Sequence, residues 1–153
     1  MYTDKPIEVL NSLIEINNDR IAGYETAAKE TEEADLKKLF SELMEASQKC
    51  KSELVAEVVK LGGKPTKGTQ AAGKLYRIFM DLRATLTGKD REAILKSCEF
   101  GEDTAVKTYR AVLKDDFEHL NSEQQLMLNR QLILIKKGHD KVKSLRDVLV
   151  ESK

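Results

Sequence analysis

Apolar residues recur at three- and four-residue steps along almost the whole chain, and no stretch alternates with the period of two that a half-buried strand needs. The pattern predicts an all-α protein. A first helix over 5–30 has Pro6 in its first turn, where a missing N–H is harmless, and carries the stripe Leu10, Leu13, Ile14, Asn17, Ile21, Tyr24, Ala28. A second over 35–62 presents Leu36, Leu39, Phe40, Leu43, Ser47, Cys50, Leu54, Val58 and Leu61, and stops at Gly62 and Gly63 with Pro65 barring its resumption. A linker begins at Lys64, and a short amphipathic helix over 71–87 shows Leu75, Ile78, Phe79, Leu82 and Leu86 on one face. A third long helix over 90–115 opens at Asp90 and buries Ile94, Cys98, Glu102, Ala105, Tyr109 and Val112. The fourth, over 121–150, opens with Ser122 and, three residues on, Gln125 as a capping box; its stripe is Leu128, Leu132, Ile135, His139, Val142, Leu149.

One heptapeptide nearly repeats. Gly23-Tyr24-Glu25-Thr26-Ala27-Ala28-Lys29 returns as Gly101-Glu102-Asp103-Thr104-Ala105-Val106-Lys107, each copy in the first long helix of its half. Two helical hairpins with approximate two-fold symmetry follow, packed as a four-helix bundle. The helix over 71–87 is too short to be a bundle member, so the segment from Lys64 to Gly88 is expected to carry the chain from one hairpin to the other. Simple up-down bundles need no such connection and ferritin-like bundles do. The expected fold is thus an all-α, ferritin-like antiparallel four-helix bundle with a short crossover helix, as a single domain over 1–153.

At 153 residues the chain can bury a core without disulfides or a structural metal. Its 26 basic residues balance 26 acidic ones and the signs are interspersed, so no footprint for nucleic acid or an anionic membrane is present. No apolar run reaches the ~20 residues of a membrane span, and Met1 to Pro6 lacks a signal pattern, so a cytoplasmic location is expected. Cys50 and Cys98 are too few for a disulfide framework or a thiolate zinc site and are expected to be reduced and buried.

The polar residues within the apolar stripes carry the candidate chemistry. Glu102, four residues from Cys98 and three from Ala105, faces the bundle axis, where a carboxylate must be paired, protonated or metal-bound. The packing alternative is a carboxyl hydrogen-bonded to Tyr24 or His139, or turned to the edge of the stripe. His139 lies at the edge of the fourth stripe; Asn17, Ser47 and Cys50 are small or neutral enough for a bundle interior, Asn17 being able to fix helix register. Asp116 to His119 forms a DxxH string outside the bundle. A dinuclear carboxylate site takes one Glu from each of two helices and Glu-x-x-His from each of the other two. This chain supplies Glu102 and His139; Lys136 stands three residues before His139, and the second helix has Ser47-x-x-Cys50 in place of Glu-x-x-His. The ligand set is incomplete. No phosphate-binding Gly-rich loop or nucleophile elbow occurs.

Leu36 to Phe40, Leu61 to Pro65, Phe79 to Gly88, Glu99 to Asp103 and His139-Asp140 together resemble a bacterial family classed as a ferritin-like domain of unknown function. The Met80-Asp81-Leu82-Arg83-Ala84 string ending in Thr87-Gly88 is the specific part, and the likeness runs over nearly the whole chain. It implies a bundle with a crossover helix and no established activity. The family pattern carries a histidine where this chain has Cys50, while Glu102 and His139 match it, which implies a degenerate metal site.

The expected function is a non-enzymatic, cytoplasmic bundle protein without cofactor, stress- or housekeeping-associated by family likeness, acting as a homo-oligomer or through a protein partner. Neither nucleic acid nor membrane is an expected partner. The alternative is a metal-binding, oxidoreductase or storage protein holding iron, manganese or zinc at Glu102 and His139, with Glu99 or Glu25. A third reading is a small-molecule pocket between Tyr24, Tyr109 and Glu102.

Overall fold

Four apolar stripes fold back on one another in pairs. The computed structural model describes residues 4–68 and 91–151: α1 (Asp4–Glu30), α2 (Ala34–Lys60), α3 (Arg91–Asp115) and α4 (Ser122–Glu151), with a single 3-10 turn at Phe117–His119. The expected crossover helix over 71–87 and the Asp90 cap lie outside the described residues. Thr31 to Glu33 joins α1 to α2: the Thr31 N–H still bonds the Ala27 carbonyl at 3.0 Å, and the extended backbone at Glu33 then turns the chain into α2.

Topology follows from which side chains meet. Asn17 reaches Tyr109 and Arg20 reaches Glu102, so α1 and α3 are antiparallel. Glu57 meets Gln124 and Glu42 meets Lys141, so α2 and α4 are antiparallel as well. With α1 beside α2 and α3 beside α4 as antiparallel pairs, α2 and α3 must run in the same direction. Arg91, at the start of α3, grips Asp35 (2.6 Å) and Glu33 (3.1 Å) at the start of α2. The end of α2 and the start of α3 therefore lie at opposite ends of the bundle, and the connection between them has to span the length of α2, about 40 Å for 27 residues. A tight turn cannot do this. One long crossover is a consequence of the helix directions.

The start of that connection is built into the sequence. Gly62 adopts φ +82°, and the Gly62 and Gly63 amides close onto the Val59 and Val58 carbonyls at 2.9 Å, the left-handed cap that ends α2. Asn11 then accepts the Thr66 N–H (2.9 Å) and donates to the Lys64 carbonyl (3.1 Å), while Asn18, one heptad on, donates to the Gly68 carbonyl (2.8 Å). Two asparagines on one helix face thus lay the strap along α1.

The core contains every residue of the α2 stripe up to Val58 and every residue of the α3 stripe. On α1 the buried face is rotated from the expectation: Ile21 and Ala28 are only half-buried, and Arg20 and Ala27 are inside. On α4 Leu132 and His139 sit at the boundary, Gln124 and Gln131 are buried, and the Leu149 side chain lies outside the described residues. The capping box of α4 is also one residue earlier than expected. Asn121 Oδ1 accepts the Gln124 N–H (2.8 Å) and Gln124 Oε1 accepts the Asn121 N–H (2.9 Å), whereas Gln125 donates its side-chain amide to the Leu120 carbonyl (2.9 Å).

Gly62→Ala meets no neighbouring atom but must hold a left-handed backbone. It is expected to lower unfolding stability by about 1 kcal/mol, read as a lower urea midpoint with an unchanged slope.

Candidate functional site

Arg20 lies three residues after Asn17 and four before Tyr24, so a helical turn places it on the same inward stripe. Its guanidinium grips Glu102 with two parallel bonds, Nε to Oε2 at 2.8 Å and Nη2 to Oε1 at 2.5 Å, and its remaining nitrogen donates to the Ser47 hydroxyl. Both charged side chains are 0% exposed. Three helices meet in this cluster, and the fourth approaches it through its backbone. A Cβ on Gly138 would stand 2.8 Å from Glu102 Oε1 and 2.6 Å from Leu43 Cδ2, which is why α4 carries a glycine in mid-helix despite its low helix propensity. Tyr24 lies under the guanidinium, 6.0 Å from ring centroid to carbon, and stacks on Phe40 at 5.8 Å.

Burial by itself would push the Arg20 pKa down; the charge and hydrogen bonds of Glu102 outweigh it and hold the pKa above its ordinary value. Burial, and after it the Glu102 charge, raise the Tyr24 phenol well above its usual range, so Tyr24 is neutral. The arrangement is one fixed cation matched to one fixed anion, with fork-shaped geometry that only arginine provides.

A second polar layer lies adjacent along α1. Asn17 Nδ2 donates to the Leu13 carbonyl and to the Tyr109 hydroxyl, both at 2.9 Å; Tyr109 donates to Gln131 Oε1 at 2.8 Å; Gln131 donates onward to the Cys50 carbonyl (3.3 Å) and Glu53 (3.2 Å). All four helices contribute. Burial raises the Tyr109 phenol and pushes the Cys50 thiol up to about 11; Cys98 is raised further by burial and the nearby Glu102 carboxylate. Neither thiol is a nucleophile in this setting.

The residues expected to cooperate with Glu102 are directed elsewhere. His139, its side chain 19% exposed, turns Nε2 toward Asp103 (3.7 Å) and Nδ1 toward Asp140 (3.2 Å) at the α3–α4 edge. Glu99 pairs with Arg146 at 2.5 Å, and Glu25 with Lys29 at 3.2 Å on the outer face of α1. Glu102 takes its partner not from Tyr24 alone or His139 but from Arg20. Asp116 lies 3.9 Å from Lys5, and His119 lies 3.5 Å from Glu118, both at one end of the bundle. Tyr24 and Tyr109, expected beside Glu102 in a ligand pocket, are fully buried and belong to separate layers. Among the described residues no group of three or more His, Cys, Asp or Glu is placed to hold a metal ion. The donor set around the axis also fits one poorly: α1 presents a cation, α2 presents Ser47 and the Cys50 carbonyl, and both oxygens of the one carboxylate are taken.

Arg20 is the residue that sequence reading missed. The signal was its phase, between Asn17 and Tyr24 on a stripe already recognised, and what concealed it was residue type, since arginine is rarely found inside.

A sequence model of a family described as a domain of unknown function, DUF2383, matches residues 5–115, a span that includes Arg20, Ser47 and Glu102. No curated protein sequence matches the chain.

Breaking the ion pair from one side strands a buried charge, so Arg20→Met and Glu102→Leu are each expected to cost about 3–5 kcal/mol in chemical denaturation. The double variant, which removes both charges, is expected to be more stable than either single one. At pH 8 both cysteines are expected to resist a thiol-labelling reagent in the native protein and to react fully once it is unfolded in urea.

Proposed function

We propose, for a chain that belongs to the DUF2383 family, the role of a ferritin-like but non-enzymatic bundle that acts by binding protein, whether a second copy or a different chain, and not by chemistry at its axis. The observation that carries this reading is the bidentate Arg20–Glu102 pair. In dinuclear carboxylate bundles the helices send in acids and histidines whose charge a pair of metal ions balances. Here the fully buried carboxylate of Glu102 is balanced by a guanidinium that the chain itself supplies, with Ser47 completing its hydrogen bonds. The single long crossover supports the ferritin-like part of the reading, because it separates this topology from a simple up-down bundle. No described helix is long and apolar enough to cross a membrane, and we read the protein as cytoplasmic.

The competing reading, a metal held by Glu102 and His139, would require Arg20 to release both carboxylate oxygens and His139 to leave its aspartates. Metal analysis of protein purified without chelator separates the two. The expected result is less than about 0.1 equivalent of iron, manganese or zinc and no rise in melting temperature on adding any of them. Stoichiometric metal that stabilises the fold would overturn the proposal.

A further inference from the structure

Within each hairpin the helix backbones lie close along much of their length, but α2 and α4 approach each other at fewer places, leaving a seam open to solvent. Two adjoining depressions of about 190 and 170 Å³ follow this seam and share Leu134 and Lys137. Leu39, Leu43, Ala46 and Leu134 form the floor, and Ile133 stands on the α4 side with 60% of its surface exposed. From Arg130 to Lys141 the seam runs about three helical turns.

Its rim is electrostatically lopsided. Of the two acids on the rim, Glu42 is paired with Lys141, while Glu53 accepts a hydrogen bond from the neutral Gln131 amide and keeps its charge. Lys49, Arg130 and Lys137 line the same depressions, are exposed, and have no acidic partner among the described residues. An apolar strip whose rim carries these three cations against the single carboxylate of Glu53 is net positive and complementary to one kind of surface. We propose that the α2–α4 seam docks an acidic amphipathic helix of a partner protein, its apolar residues at i, i+3, i+4 and i+7 on the leucine floor and its carboxylates on Lys49, Arg130 and Lys137. This names the partner class for the protein-binding role proposed above and rests on that reading. It sets the seam apart from the bundle interior, where every charge on the axis is already matched.

The test uses the full chain and a fluorescent peptide of about 15 residues with leucine at those spacings and glutamate at the flanking positions. A control peptide has lysine for every glutamate. The acidic peptide is expected to bind saturably by fluorescence anisotropy, more weakly as salt rises, and at least about tenfold more tightly than the control. Arg130→Glu with Lys137→Glu, and separately Ile133→Asp, are expected to weaken binding by about tenfold or more while leaving the melting curve unchanged, since all three side chains are exposed. Absence of saturable binding, equal binding of the two peptides, or variants that bind like the parent would overturn the proposal. So would sedimentation showing a dimer that the same variants dissolve, which would make a second copy the occupant. Metal content measured on the same sample keeps the outcomes apart: failure of the peptide on metal-free protein removes the docking surface alone, and bound metal removes the reading beneath it.

Discussion

A buried charge must find its counter-charge or the fold does not close, and in this bundle that condition falls on Arg20 and Glu102. The two are 82 positions apart and sit in different hairpins. The α1–α2 hairpin offers Arg20 a hydroxyl from Ser47, whereas its carboxylate partner comes from the α3–α4 hairpin. Closing one half on the other without the counter-charge would bury an uncompensated ion, a penalty of several kcal/mol. The halves are therefore interdependent, and the pair sets the sliding register of α1 against α3, while Gly138 sets how near α4 can come. The Asn17–Tyr109–Gln131 layer extends the same constraint by a turn, since a slip of one residue would break hydrogen bonds that reach all four helices.

The repeated heptapeptide acquires a physical meaning in this setting. Tyr24 and Glu102 occupy matching positions in the two copies, both are fully buried, and they are close enough that the carboxylate raises the phenol pKa. Equivalent residues of the two halves thus meet in one layer. The halves differ one turn earlier, where α1 has Arg20 before Tyr24 and α3 has Cys98 before Glu102. A bundle with identical halves would place like groups opposite one another; the divergence supplies a cation on one side and an anion on the other.

The same matching separates interior from surface. The interior charges are satisfied intramolecularly and the thiols are held protonated, so reactivity is suppressed on the axis. Residual cations and apolar surface are found along the α2–α4 seam instead.

The apolar period was enough to determine the helical class, the inner faces of α2 and α3, the glycine stop after Lys60 and the placing of Glu102 on the axis, because each depends on spacing within one helix. The need for a long connection was also legible, since it follows from the order and length of the elements. Tertiary structure decided the partners. That Arg20, not Ile21, faces inward on α1, that His139 turns to Asp103, and that Asn11 and Asn18 hold the strap all depend on groups 36 to 82 residues away whose positions no local period encodes. Helical phase states which side chains point inward; only the docking of one helix on another determines what each side chain meets there.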